Sequence, residues 1–174
     1  MIETARLRLR PWREDDRAGF AAILNTPAMM AHHGGVRSAA EMDALFAKRL
    51  KDQARHGFSY WAVELRDGEL VGSCGLRIAD NYPGTPVAGM HELGWRIAEP
   101  HWRRGLAREA AAAAIDWAWR NTDAPFLAAW TIPANEGSWR LMERLGMMRR
   151  PDLAFRDPRG RYPVDFIVYT IDRP

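Results

Sequence analysis

The segment from residue 99 to residue 117, EPHWRRGLAREAAAAAIDW, constrains the fold of this chain more than any other stretch. It follows an apolar strand-like segment, and its alanine run predicts a helix over residues 105–121. A strand that turns directly into a helix is typical of a sheet covered by helices, and ligands bind such sheets at the carboxyl ends of strands. We therefore expect an α/β fold with a binding crevice at this turn.

The charges around the turn indicate an anionic ligand. A helix N-terminus prefers anions, yet Arg103, Arg104 and Arg108 surround this one. The first N–H groups of a helix lack internal partners and bind phosphates, and Gly105 and Ala107 leave room for a ligand beside the backbone. The alternative is a plain connection with solvated arginines. The turn has neither the Gly-Lys-Ser/Thr of a Walker A motif nor a G-x-G-x-x-G pattern.

Hydrophobic periodicity predicts the other elements. Ser38 and Glu41 form a capping box at the start of a long helix, Asp67-Gly68 indicates a hairpin, and Gly94 within a strand suggests a bulge or a close backbone approach. Helices are predicted at 13–25, 38–57 and 135–146, and strands at 6–12, 58–65, 70–78, 90–98, 125–132, 147–157 and 162–171.

Size and composition favour one domain over residues 1–174. Hydrophobic residues make up 47% of the chain and charged residues 27%, with a formal net charge of +3. The single cysteine, Cys74, excludes an internal disulfide framework and a cysteine-rich zinc site, and we expect a cytoplasmic protein. An arginine-rich RNA-binding protein is one alternative, but the arginines are spread along the chain without an RNA-module signature.

The motif WRRGLA, residues 102–107, resembles the GNAT acetyltransferase signature Gln/Arg-x-x-Gly-x-Gly/Ala, although Trp102 replaces its first residue. The predicted order of elements is similar to that fold from about residue 6 to residue 171. Three pieces, ARLRLRPWREDD, HELGWRIAEPHWRRGLAREA and NEGSWRLMERLGM, resemble the branch with ribosomal-protein N-terminal acetyltransferases. The resemblance implies a mixed, mostly antiparallel sheet of about six to seven strands, flanked by about four helices and splayed at the cofactor-binding strand.

The resemblance implies an acetyl-CoA-dependent N-acetyltransferase that acts on a primary amine, either a protein N-terminus or a small molecule, by direct attack in a ternary complex. A catalytically weak acetyl-CoA sensor of the same fold is the alternative. Asn135 is expected to contact the cofactor arm, and no metal is expected. The other implied cofactor contacts are backbone groups of Trp95, Arg96 and Ile97 and the turn residues Trp102, Arg103, Arg104, Gly105, Leu106 and Ala107.

Glu92 and Ser138 are the candidate catalytic residues, and His91 is a rival to Glu92. Glu92 is the carboxylate of the candidate catalytic strand and is proposed as the base, directly or through water; a structural role beside an arginine is the alternative. His91 is the rival base, and adjacent strand residues point to opposite faces. Ser138 matches a family serine that approaches the thioester sulfur. The family's tyrosine acid is missing from this helix, where Trp139 is the nearest aromatic residue, so the acid is open.

The acceptor side is less defined. His32 and His33 lie in a loop that borders the acceptor site in this family, and Tyr60, Trp61 and Tyr82 are candidate aromatic walls. The basic charge balance argues against a strongly cationic acceptor such as a polyamine. No nucleic-acid or membrane partner is expected. Homodimers are common in this branch, which leaves a homodimer open.

Overall fold

The computed structural model describes residues 1–174, and eight strands in it form one sheet. The strand order is β1-β2-β3-β4-β5-β6-β8-β7, and neighbours are antiparallel except for the parallel pair β5 and β6. The strands are β1 Ile2–Glu3, β2 Leu7–Arg10, β3 Tyr60–Leu65, β4 Leu70–Ile78, β5 His91–Ile97, β6 Phe126–Thr131, β7 Met148–Arg149 and β8 Ile167–Asp172.

Five α-helices accompany the sheet. They are α1 Arg17–Leu24, α2 Pro27–Met30, α3 Ala39–His56, α4 Leu106–Asn121 and α5 Glu136–Arg144. The predicted α/β class with a mixed, mostly antiparallel sheet is confirmed, with eight strands and five helices. None of these helices combines the length and the apolar character that crossing a membrane requires.

The long helix α3 begins and ends where its sequence predicts. The Ser38 hydroxyl accepts a hydrogen bond from the Glu41 amide, and the Glu41 carboxylate accepts one from the Ser38 amide at 2.9 Å. Gly57 ends the helix with φ 76°, a left-handed conformation that glycine adopts without a Cβ penalty. The capping box predicted from Ser38 and Glu41 is therefore confirmed.

Helix α4 packs closely on the sheet because its inner face is mostly alanine. Ala110, Ala111, Ala114 and Ala118 are fully buried, and they join the largest hydrophobic cluster of the protein. Small side chains at a contact shorten the distance between packed elements. Helices α1 and α3 pack with Trp12 and Ala62 in a separate cluster on the other face. The start of α4 is thereby fixed against the sheet.

The sheet is split between β5 and β6. Every residue of β5 from His91 to Ile97 pairs with β4, whereas the pairing of β5 with β6 consists of the single pair Glu92 and Ala128. Beyond Glu92 the two parallel strands diverge. The splay predicted at this strand is therefore present, and it leaves an unpaired backbone edge that leads toward the start of α4.

Three segments differ from the sequence predictions. The short strand β1 was not predicted, and α2 lies in a segment predicted to be a loop. The strand predicted over 147–157 is reduced to β7, a 3₁₀ turn at Pro151–Leu153 and one bridge between Phe155 and Phe166. Proline lacks an N–H and fixes φ, so Pro151 interrupts strand pairing in this segment.

Gly94 serves a different purpose from the predicted bulge. The pairing of β5 with β4 runs without a shift past Gly94, and the irregularity of the sheet lies in β3, between Val63 and Glu64. A Cβ at position 94 would lie 2.5 Å from the Tyr60 hydroxyl oxygen and 2.6 Å from the ring carbon that bears it. Glycine is required here because a side chain crosses the strand, not because the strand bulges.

We predict that Gly94→Ala lowers the free energy of unfolding by about 1–3 kcal/mol, because the new methyl group overpacks Tyr60. Gly137→Ala is the matched control. A Cβ at Gly137 meets nothing within 4 Å, and alanine in place of glycine in a helix stabilises by about 0.5–1 kcal/mol. Urea unfolding of both variants checks the prediction, and a Gly94→Ala protein as stable as the wild type would contradict it.

Candidate active site

The turn before α4 presents a row of free backbone donors. Gly105 is the N-cap of α4 with φ 77°, and Arg103 also has a positive φ of 60°. No backbone acceptor receives a hydrogen bond from the amides of residues 103–108, and the first amide with such a partner is that of Glu109. Free amides at the positive end of a helix form an anion-binding site. The turn therefore has the free backbone amides on which the predicted anion site depends.

Arg6 holds this turn in place, a role that the sequence analysis missed. Its guanidinium donates to the Arg104 carbonyl at 2.8 Å and to the Glu109 carboxylate at 2.6 Å. Glu109 also accepts hydrogen bonds from the Arg6 amide and the Thr4 hydroxyl. Arg6 and Glu109 are 103 positions apart, so no local pattern relates them. Arg6 is a positioning residue that connects the start of β2 to the turn.

Only some of the residues predicted to contact a cofactor direct their backbone N–H and C=O groups toward the gap between β5 and β6. The Ala98 amide donates to the Val71 carbonyl, and the Ala79 amide donates to the Met90 carbonyl. Hydrogen-bonded and non-hydrogen-bonded pairs alternate along an antiparallel ladder, so these two bonds determine which residues between them are hydrogen-bonded to the partner strand. In that alternation the backbone of Arg96 faces β4, whereas Trp95 and Ile97 face the split. The register therefore does not support the predicted backbone contact from Arg96 to a cofactor, because the amide and carbonyl of Arg96 face its partner Ser73 of β4.

Trp102 closes the end of this edge. Its indole N–H donates to the Ile97 carbonyl at 2.5 Å, although 45% of the residue remains exposed. That bond occupies the carbonyl of Ile97 and ties the turn to the end of β5. Leu106 is buried in the core and Ala107 is half-buried. The predicted turn residues that are exposed to solvent are therefore Trp102, Arg103, Arg104 and Gly105.

Helix α5 begins across the split from β5. Asn135 is its N-cap, but its side chain caps nothing; its amide nitrogen donates to the Thr131 hydroxyl at 3.0 Å. Ser138, in the first turn of α5, is half-buried, and its amide donates to the Asn135 carbonyl. The side-chain carbonyl of Asn135 and the hydroxyl of Ser138 therefore stay available for a ligand.

Glu92 lies on the face of β5 opposite α4. It is 8% exposed and forms an ion pair with Arg77 of β4, its direct partner in the sheet. His91 points to the other face, where its ring stacks on Phe58 at 5.8 Å between centroids. Burial holds the pKa of His91 below its usual value. The two candidate bases are thus on opposite sides of the sheet, and Glu92 is the one that pairs with an arginine.

Tyr60 lies beside Glu92 on the same face. Its hydroxyl sits over Gly94, and its ring packs 4.6 Å from the Arg49 guanidinium and 5.6 Å from that of Arg77. Burial, followed by the negative charge of Glu92, raises the pKa of Tyr60 well above its usual value. The phenol is therefore protonated at neutral pH and is a neutral hydrogen-bonding group within this charged layer.

The other predicted acceptor residues separate into two groups. His33 belongs to this face, and burial together with the charges of Arg96 and Arg37 holds its pKa well below the usual value, so its imidazole is neutral. Tyr82 is 6% exposed and packs on Phe155 and Trp130 under the loops beside β8. Trp61 points to the α4 side instead and belongs to the main core, so it is no wall of this site.

Two further sequence interpretations concern reactive groups. Cys74 is fully buried in the main core, and burial raises the pKa of its thiol. It is a small hydrophobic core residue. No group of three or more histidine, cysteine, aspartate or glutamate side chains is placed to hold a metal ion, and His32 and His33 have no third partner of that kind.

Comparison with known proteins identifies the family. A sequence model of the acetyltransferase (GNAT) domain matches residues 6–148. The chain belongs to the GNAT acetyltransferase family. The turn at Gly105, the split between β5 and β6 and the arrangement of α4 and α5 are therefore parts of an acetyltransferase domain.

Similar proteins support this assignment. The uncharacterized N-acetyltransferase YoaA of Bacillus subtilis is 26% identical over 183 residues, which cover 100% of this chain and 97% of that protein. An acetyltransferase from Agrobacterium tumefaciens is 30% identical, with a TM-score of 0.82 over 98% of this chain and 92% of that one. A ribosomal-protein-S5-alanine acetyltransferase from Vibrio fischeri shares the fold at 18% identity, with a TM-score of 0.76 over 98% and 95% of the two chains. The chain is an N-acetyltransferase of this family.

We predict that Glu92→Gln lowers the free energy of unfolding by about 3–5 kcal/mol, because it leaves the buried Arg77 without its counter-charge. Glu14→Gln is the control: Glu14 pairs with Arg17 on the surface, where the Glu14 side chain is 68% exposed, and loss of that pair costs below about 1 kcal/mol. Chemical denaturation at pH 7 compares the two. Equal, small effects in both variants would show that Glu92 does not compensate Arg77.

Proposed function

We propose that this GNAT protein transfers the acetyl group of acetyl-CoA to a primary amine, of a protein N-terminus or a small molecule, by direct attack in a ternary complex. The observation that carries the proposal is the row of unpartnered amides at residues 103–108, located where the free edge of β5 ends. A diphosphate needs several donors in one place, and a pantetheine arm needs an unpaired strand edge. Both features occur side by side in this chain.

Backbone amides and arginine side chains of the turn would bind the diphosphate together. The amides from Arg103 to Ala107 would donate to its oxygens, and the dipole of α4 adds favourable potential. The exposed side chains of Arg103 and Arg108 belong to no ion pair, which leaves them free for phosphate. Arg104 is oriented by His101, 2.8 Å away. The positive φ of Gly105 opens the backbone at the centre of this row.

The pantetheine arm would extend from the turn along the split. Trp95 presents its backbone N–H and C=O to this side, and the Ile97 amide does the same. Asn135 on the opposite wall would contribute its side-chain carbonyl to an N–H group of the arm. This arrangement would deliver the thioester to the point where β5 and β6 separate, next to Glu92.

The reaction forms a bond from the amine nitrogen to the acetyl carbon and breaks the bond from that carbon to sulfur. The attacking amine must lose a proton, which Glu92 would accept directly or through one water molecule. A backbone N–H of β5 would stabilise the carbonyl oxygen as negative charge develops on it. Ser138 would donate a hydrogen bond or a proton to the leaving thiolate. Holding both substrates together supplies much of the rate enhancement.

The function is tested by mixing the protein with acetyl-CoA and a panel of amines that includes peptides, amino acids, polyamines and aryl amines. We expect acetyl-CoA alone to raise the melting temperature, because it binds the native state, and free CoA to appear only when a suitable amine is present. A raised melting temperature without release of CoA for any amine would favour the sensor alternative. No thermal shift at all would contradict the cofactor site.

We predict that Gly105→Asn weakens CoA binding by about tenfold or more, which corresponds to about 1.4 kcal/mol. Asparagine tolerates the left-handed conformation, and a Cβ at position 105 lies no nearer than 3.5 Å to other protein atoms. The fold is therefore retained while a side chain is added beside the free amides. Gly57→Asn is the matched control, with φ 76° and open space at the end of α3. Calorimetric titration with CoA that gives equal affinities for both variants would contradict the assignment of the turn.

We predict that Glu92→Gln reduces kcat by about 10²–10⁴-fold, the usual contribution of a general base, while the affinity for CoA changes little. The assay is run at low temperature, with the folded fraction confirmed by circular dichroism, because the same substitution destabilises the protein. Glu14→Gln provides the control for loss of a surface carboxylate. A folded Glu92→Gln enzyme with wild-type kcat would remove Glu92 from the mechanism and leave it a structural partner of Arg77.

A further inference from the structure

The face of the sheet that carries Glu92 also carries a group of arginines, two of them buried (Arg49 and Arg77) and two half-buried (Arg37 and Arg96), which together we call the arginine cluster. Arg77 and Arg96 come from the paired strands β4 and β5, Arg49 comes from α3, and Arg37 precedes that helix. Arg49 and Arg77 are each only 7% exposed. Tyr60 packs between the guanidinium groups of these two residues. Arg77 and Arg49 lie beside the candidate base, and Arg96 and Arg37 continue the cluster away from it.

The carboxylates nearby do not neutralise this cluster. Glu92 pairs with Arg77, and the neighbouring loop arginines also have partners, Asp157 for Arg159 at 2.9 Å and Glu41 for Arg161 at 3.2 Å. Arg37, Arg49 and Arg96 belong to no ion pair. The one hydrogen-bond acceptor of the Arg96 guanidinium is the Met30 sulfur, at 4.0 Å. Three of the four arginines in the cluster therefore have no carboxylate partner.

Two of these three arginines also have buried N–H groups that donate to no acceptor. Nη1 of Arg49 and Nε of Arg37 are buried without a hydrogen-bond acceptor. Burial and the other arginines lower the pKa of Arg49 to about 10 and hold the pKa of Arg96 and Arg37 below the usual value. These groups still carry charge at neutral pH, and an uncompensated buried charge is costly. An anion that entered the cluster would supply the missing counter-charge and accept hydrogen bonds from the unused donors.

The cluster is separate from the turn that would bind the diphosphate. Arg49 belongs to α3, which packs with α1, whereas α4 covers the opposite face of the sheet. Along β5 the residues Glu92, Gly94 and Arg96 share one face, and same-face neighbours on a strand are about 6.5–7 Å apart. An anion held by Arg96 and Arg49 would therefore lie within the length of one small molecule from Glu92.

We propose that the acceptor amine carries an anionic group, a carboxylate or a phosphoryl group, which Arg49 and Arg96 bind while the amine faces Glu92. This inference rests on the proposed function and names the class of its second substrate. A guanidinium donates two parallel hydrogen bonds to either kind of anion, so both arginines are suited to this role. Arg37, which lies near His33 and Arg96, adds positive charge that attracts the same substrates.

The test compares acceptors in matched pairs. The twenty common amino acids are assayed against their carboxamides, together with aminoalkyl phosphonates and spermine, and release of CoA is followed. We expect kcat/KM for at least one anionic acceptor to exceed that of its neutral partner by about tenfold or more, the scale of one charge-assisted hydrogen bond. Preference for phosphonates over carboxylates would identify the anion as phosphoryl. Use of neutral amines or spermine as readily as their anionic counterparts would overturn the inference.

Variants assign the preference to the cluster. Arg49→Gln and Arg96→Gln are each expected to reduce the preference for the anionic partner to below about threefold, mainly through a higher KM for the anionic acceptor. Arg55→Gln, an exposed position on the same helix as Arg49, is the matched control and keeps the preference. If Arg49→Gln fails to fold, Arg96→Lys reports on the same site, because it keeps the charge and loses the paired donors. A preference that survives both glutamine substitutions overturns the inference.

The outcomes also separate this inference from the proposed function. If acetyl-CoA binds and CoA is released only with neutral or cationic amines, the transferase activity stands and the anionic acceptor is wrong. If no amine, anionic ones included, releases CoA from an enzyme that binds acetyl-CoA, both the transferase activity and this inference are wrong.

Discussion

The divergence of β5 from β6 is the constraint on which the rest of the site depends. One edge of β5 is fully paired with β4, and the other edge is paired at Glu92 alone. An unpaired strand edge inside a sheet is normally avoided, because each free amide and carbonyl that is removed from water costs free energy. Here the free edge is where we propose that the pantetheine arm binds, and its groups would then pair with that ligand. The close packing of the alanine face of α4 fixes the far end of the split.

Side chains alternate along β5, so its two faces have different surroundings. Leu93 and Ile97 point into the main core under α4, while Glu92 and Arg96 point toward α3. The turn at Gly105 and the arginine cluster are therefore on different sides of the sheet and meet only at the split. A transfer reaction between two substrates suits this geometry, because each substrate can reach the reacting carbon from its own side.

The charged layer under α3 is expensive for the folded protein. Breaking or leaving open a buried ion pair destabilises, and Arg49 has no carboxylate partner while it stacks on Tyr60. The aromatic cluster of Trp12, Phe20 and Phe46 beside it, together with the main core, offsets that cost through burial of apolar surface. Sites that bind charged ligands commonly reduce stability in this way, since groups arranged for the ligand repel one another without it.

The sequence by itself determined the elements whose signals are local. Ser38 and Glu41 bond to each other three residues apart, β4 follows its apolar run from Leu70 to Ile78, and the turn before α4 has the free amides that its glycine and helix pattern indicated. Motifs of neighbouring residues also sufficed for the family. Such features depend on dihedral angles and hydrogen bonds within a few positions, which composition and spacing encode directly.

Only the tertiary structure decided the contacts between distant segments. Arg6 supports the turn across 103 positions, Tyr60 occupies the space that Gly94 leaves, and Arg49 from α3 joins Arg77 and Glu92 in one buried layer. It also decided that the Arg96 backbone faces β4, because the register of the ladder, not the residue type, sets which groups point to the split. Charges and shapes brought together by folding depend on strand order and register, and a single sequence read in order does not contain the distances between them.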